Sequence, residues 1–123
     1  MKVYYAHCVN IYNTEQERQD IDTLQKLGLE VVNPNNPELE AIYQKMKGLF
    51  GFIGAFTKVF LDLVDECDVF AFRALPNGKI TSGVVLELEE ATEKGKIIIE
   101  LPTNIKNRSL DKDETLKYLN DKV

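Results

Sequence analysis

The hydrophobic pattern switches repeatedly between short apolar runs and a period near the 3.6 residues of a helical turn. Val3-Tyr4-Tyr5-Ala6 opens the chain as a short buried strand, and a polar segment from Asn10 to Thr14 follows. Thr14-Glu15-Gln16-Glu17 has the form of a capping box, in which hydroxyl and carboxylate each satisfy a free amide of a helix start. Ile21, Leu24 and Leu27 then recur every three residues, and Gly28 supplies a stop. Leu29-Glu30-Val31-Val32 is a second strand, ended by the turn-forming Asn33-Pro34-Asn35-Asn36. Pro37 suits the first position of a helix whose Leu39, Ile42, Tyr43 and Met46 share one face. Residues 49–56, interrupted by Gly51 and Gly54, read as a loop or loose turn leading into a helix from about Thr57 to Glu66. Residues 68–72 and 96–101 are a third and a fourth strand. Between them Pro76-Asn77-Gly78 turns the chain, and a helix runs from near Ser82 to Lys94. The charged remainder from about residue 103 predicts one terminal helix over residues 110–119, with Asp111 or Asp113 near its start.

Strands alternating with helices predict a small doubly wound α/β fold, flavodoxin-like or Rossmann-like. The parallel sheet would have about four to five strands with helices on both faces. The whole of residues 1–123 reads as one domain with a charged helical extension. A hydrophobic content of 44% is enough for a core that needs no disulfide. The net charge of -5 is spread along the chain with both signs interspersed, which argues against polymeric nucleic acid as a partner. Residues 49–64 are the greasiest stretch, but they contain Lys58 and Asp62 and fall short of the about 20 apolar residues that a membrane span needs. Cys8 follows the first strand and Cys67 precedes the third, so about 15 Å of parallel strand separates them. A disulfide needs Cα atoms within about 7 Å, so none is expected. With a strand read from the first residue no signal peptide is expected, and the expected setting is reducing and cytoplasmic.

Ligands of such sheets sit at the carboxyl ends of the strands near the switch in strand order. Residues 6–14 and 73–87 are therefore the candidate loops. Gly83 after Ser82 allows close backbone approach to a ligand, and the helix that follows offers free amides. Taking about 100° per residue, Val84, Leu88 and Ala91 define the buried stripe of that helix and Glu87 lies about 60° to its side. An acid at the margin of the core near a positive helix end is expected to stay ionised. His7, the only histidine, follows the first strand at the same edge and could supply a proton. Tyr5, Ala6, Asn10, Tyr12 and Asn13 are candidates to line the same pocket. Arg73, just after the third strand, suits a phosphate or a carboxylate, or else an ordinary salt bridge. One histidine and no CxxC or HExxH give no metal site, and nothing calls for a cofactor.

The segment SGVVLELEEA, set between CDVFAF and GKIIIEL, resembles the nucleoside 2-deoxyribosyltransferase family and its nucleotide N-glycosidase relatives. Their pattern is a strand, a polar loop, Ser-Gly-x-x-x-Glu-Leu-x-x-Ala, and a strand led by Gly-Lys. The resemblance covers roughly residues 1–102. It implies that Glu87 is a nucleophile attacking the anomeric carbon of a nucleoside or nucleotide, with Ser82 and Gly83 orienting the sugar or phosphate. The nucleobase leaves more easily if an acid protonates it, which makes His7 or Asp62 the second catalytic candidate. The chain departs from the family at Thr81, Val84 and Phe60, and Asp62 is the nearest substitute for a family aspartate at position 60. Relatives of this kind are commonly homo-oligomers. Residues 49–56 offer an apolar surface for a homodimer or higher assembly, or a lid over a nucleobase.

Three readings stay open on these residues. The first is cleavage or transfer at an N-glycosidic bond of a small nucleoside or nucleotide. The second is a non-catalytic nucleotide-binding or sensing module on the same fold. The third is a subunit whose role is carried by its apolar surface.

Overall fold

The computed structural model describes residues 1–103 and 108–122. Strands β1 (Lys2–Ala6), β2 (Glu30–Val32), β3 (Val69–Phe72) and β4 (Ile97–Glu100) form an all-parallel sheet in the order β2-β1-β3-β4. Val3 of β1 lies opposite both Val31 of β2 and Val69 of β3, and Phe72 of β3 lies opposite Glu100 of β4. The helices are α1 (Glu15–Lys26), α2 (Pro37–Phe56), α3 (Asp62–Glu66), α4 (Ser82–Glu93) and α5 (Lys112–Lys122). This is the small doubly wound fold that the alternation of elements predicts, with four strands.

Side chains of a strand alternate between the two faces of its sheet, and β1 shows the consequence. Tyr4 and Ala6 join Phe70 and Phe72 against Val64 of α3 and Val84 and Ala91 of α4. Val3 and Tyr5 join Val69 and Ala71 against Leu24 of α1 and Leu101. All four of these β1 side chains are fully buried. Large apolar side chains buried in this way stabilise a fold by roughly 1.5–3 kcal/mol each. The chain runs outward from β1 to β2 and then crosses back over β1 to reach β3. The switch point lies between the carboxyl ends of β1 and β3.

Thr14 caps α1, its hydroxyl accepting from the Glu17 amide at 3.3 Å. The expected capping box closes only in part. The Thr14 amide donates to the Ile11 carbonyl, and the Glu17 carboxylate takes the Asn13 amide instead, at 3.2 Å. Residues 49–56 are not the loop that their glycines suggest. They continue α2 through a kink at Gly51, which alone leaves the helical region with φ 75° and ψ 179°. The kink brings the Cβ of Phe50 against Gly54, where an added Cβ would sit 2.8 Å away. The helix expected from Thr57 begins as a π-helical turn, Thr57–Leu61, before α3 resumes α geometry. At the far end, Asp111 and Glu114 close a reciprocal capping box, with Glu114 N–H donating to Asp111 Oδ1 at 2.8 Å. The described side chains of α5 are exposed, Leu116 and Leu119 included.

Candidate functional site

The carboxyl ends of β1 and β3 run into residues 7–14 and 73–81, the two loops that the sequence singles out. After β1 the chain makes one 3-10 turn, Val9–Ile11, and this turn borders two cavities. Asn10 and Ile11 line a cavity of about 380 Å³ beside Arg73 and Pro102. His7, Cys8 and Val9 line another of about 300 Å³, closed by α2 and by the start of α4. Glu87 belongs to the second.

Glu87 sits deeper than the margin position expected of it. Val84, Glu87 and Ala91 are the buried residues of α4, so the carboxylate lies within the core-facing stripe itself. Tyr4 makes this tolerable, because its hydroxyl donates to Glu87 Oε2 from the middle of β1. Burial is the larger influence and pushes the Glu87 carboxyl up to about 7, while the Tyr4 hydrogen bond pulls it down. The expectation that the helix end tends to keep Glu87 ionised is thus corrected, burial acting in the opposite direction. The positive helix end acts mainly within the first turn, and Glu87 lies beyond it. Near neutral pH Glu87 is divided between a carboxylate and a carboxylic acid. The Tyr4 phenol is raised well above its ordinary value by burial and then by Glu87, so it remains a donor.

Aromatic rings build the opposite wall. Tyr43 of α2 packs on Phe60 with centroids 5.2 Å apart, and Phe60 packs on Phe56 at 5.3 Å. Phe52 and Phe56 are 5.8 Å apart on either side of the helical turn after the kink. Phe52, Phe56 and Phe60 recur every four residues and so share one helix face. Tyr43 precedes the kink at Gly51 and would lie about 180° away from Phe52 on a straight helix, so the kink lets all four rings line one cavity. Widened turns such as the π-helical one occur frequently at functional sites. Gly83 faces the same wall, with room at ordinary van der Waals distance from Phe56 for a Cβ. Tyr12 completes the lining from the β1 side, half-buried, with its phenol raised by burial and then by Glu87, Glu17 and Glu40.

Two buried polar networks hold the loops around the cavities. His7 Nε2 lies 2.7 Å from Glu17 Oε2, and its Nδ1 lies 3.0 Å from the Tyr5 carbonyl. The ring also stacks on Tyr5 at 3.8 Å. Burial raises the Glu17 carboxyl, but its bonds to His7, the Asn13 amide and Asn35 outweigh that and leave it below the ordinary value. Asn35 ties the loop after β2 into the same group through Glu17 and Asn13. In the second network the Arg73 guanidinium grips Asp20 with two bonds, at 2.9 Å through Nε and 2.5 Å through Nη2. The Arg73 Nη1 donates to the Pro102 carbonyl, and Asp20 also accepts from Tyr5 at 2.6 Å and from Gln16 at 2.9 Å.

No protein-family model, curated protein or solved structure matches the chain. The candidate residues are thus placed by geometry alone, which brings only some of them together. Glu87, His7 and Gly83 line one cavity. Asn10 and Arg73 line the other. Ser82 and Asp62 are exposed and line neither, and Asn13 is an exposed residue at φ 62° whose backbone serves the Glu17 network. Ala6 is packed in the core and Tyr5 points to the α1 face, on the other side of the sheet from Glu87. Both cysteines are free thiols. Sequence reasoning overlooked Tyr4, Glu40, Tyr43 and the buried acids Glu17 and Asp20. The spacing of Glu17, Asp20 and Leu24 was the available signal, since these three are the buried residues of α1.

Proposed function

We propose that this protein cleaves or transfers at the N-glycosidic bond of a (deoxy)nucleoside, a nucleotide or a molecule derived from one, with Glu87 as nucleophile. The observation that carries this reading is the buried Glu87 carboxylate, hydrogen-bonded by Tyr4, at the base of an aromatic-lined cavity of about 300 Å³ at the switch point of the sheet. Rings at that wall suit the face of a nucleobase, and the carboxylate suits an oxocarbenium-like anomeric carbon. Glu87 attacks that carbon, the bond to the base nitrogen breaks, and the base leaves with a proton. Water or a second base then displaces Glu87 from the glycosyl ester. The Tyr12 hydroxyl lines the cavity and is placed to hydrogen-bond the departing base. The His7 ring is engaged by Glu17 and Asp62 is exposed outside the cavity, so the proton that leaves with the base comes from solvent.

The resemblance to nucleoside 2-deoxyribosyltransferases supports the same reading from residues 82–91. Exposed Leu49, Phe50, Phe52 and Ile53 beside the cavity support a homodimer or higher assembly. Free cysteines fit a reducing, cytoplasmic setting. Among the described residues no helix is long and apolar enough to cross a membrane.

The test is chromatography of nucleosides and nucleotides incubated with the protein, deoxy and ribo, with and without 5′-phosphate and an acceptor base. Free base is expected from the unaltered protein, with Glu87→Gln at least about 10³-fold slower. A second reading, a nucleotide-binding module, is favoured by one observation: the cavity holds no second buried carboxylate among the described residues. Ligand-induced thermal stabilisation without product from any member of the panel would establish it.

A further inference from the structure

The cavity has a second carboxylate at its rim, Glu40, for which cleavage at Glu87 has no use. Glu40 and Tyr43 lie three residues apart on α2, so they share one face of the helix. Both line the cavity, Glu40 from its exposed rim and Tyr43 half-buried, its ring tilted against Phe60 of the aromatic wall. One helix face therefore offers a ring for stacking and, one turn away, an acceptor pair for the edge of whatever stacks. The Glu40 carboxylate is oriented by Gln44, whose Nε2 donates to Oε1 at 2.8 Å. A carboxylate accepts at about four lone-pair positions, so both oxygens keep open acceptor sites. Tyr12, Glu40 and Glu87 line the same cavity, which sets the two acids around one shared space.

We propose that Glu40 reads the base and selects guanine. The inference rests on the glycosidic reading of the cavity and names its substrate class. Guanine presents N1–H and the 2-amino group side by side, two donors matched to two carboxylate oxygens. Hypoxanthine keeps only the first. Adenine sets the N1 lone pair beside its amino group, which a carboxylate repels, and thymine flanks its one N–H with carbonyl oxygens. With the base edge on Glu40 and its face on Tyr43, the sugar extends toward Glu87.

The test is calorimetric titration of deoxyguanosine, deoxyinosine, deoxyadenosine and thymidine into Glu87→Gln protein, which suppresses turnover, and into the same protein carrying Glu40→Gln. Circular dichroism checks that both are folded. Deoxyguanosine is expected to bind about tenfold more tightly than deoxyinosine, the worth of one charge-assisted hydrogen bond. Glutamine offers one acceptor and one donor, so Glu40→Gln is expected to remove that margin and move the preference toward deoxyadenosine. Equal affinities, or a guanine preference that survives Glu40→Gln, would overturn the assignment of Glu40 while leaving the glycosidic reading standing. If none of the four nucleosides binds, and none of their 5′-monophosphates in the same titration, the glycosidic reading falls and this inference falls with it.

Discussion

Glu87 links pH to both stability and chemistry. Its carboxyl holds a proton up to about 7 when folded, against an ordinary value of 4.5 in the open chain. Between these values the folded state binds more protons than the unfolded one, so this residue makes stability fall as pH rises. The contribution is fully present below about pH 4.5 and gone above about pH 7, and it amounts to about 3 kcal/mol. Urea melts of the unaltered protein across that range should show this loss relative to Glu87→Gln, which isolates the residue from the other acids. The same titration runs the other way in the proposed reaction, where the carboxylate is the active form, so the rate should climb through about pH 7. Tyr4→Phe removes the bond that lowers the Glu87 value, so the acid limb should move to higher pH. It should also cost about 1–3 kcal/mol in urea, because a buried acceptor loses its donor.

At the scale of elements, α2 and the Asp20–Arg73 pair are the points where a single change has most leverage. Gly51 has φ 75° and ψ 179°, a region that residues with a Cβ rarely enter, so Gly51→Ala should lose about 1–3 kcal/mol by thermal melt. Straightening the kink would also disturb Phe52 and Phe56 at the cavity. Arg73→Met strands the buried Asp20 carboxylate, and a loss of about 3–5 kcal/mol is expected in the same assay. Strand and helix order were legible because β1 and β3 are short apolar runs and α1 and α2 open on capping residues. The motif of residues 82–91 pointed to Glu87, but not to its depth. Its partner Tyr4 is 83 residues away, and strand alternation tells which face Tyr4 points to without telling what it meets. Gly48, Gly51 and Gly54 hid the continuity of α2, since three breakers in seven positions look like a loop when only one leaves the helix. His7 and Arg73 looked available because the capping box claimed Glu17 and no pattern singled out Asp20. These two acids become buried partners only once α1 lies against the ends of β1 and β3.

For the whole molecule, the exposed apolar turn of Leu49, Phe50, Phe52 and Ile53 is the feature a second copy would cover. Sedimentation should report an assembly that Phe50→Glu shifts toward the monomer. Every stability measurement above also has a built-in optical reporter. The chain has five tyrosines and no tryptophan, so its intrinsic fluorescence is tyrosine emission alone. Tyr4 and Tyr5 both donate to carboxylates, Glu87 and Asp20, and excited phenols readily pass a proton or its charge to such acceptors and go dark. Native protein should therefore be dim, and opening the sheet should brighten it as the two rings part from their acids. Tyr4→Phe and Tyr5→Phe, taken singly, would tell which side of the sheet lets go first.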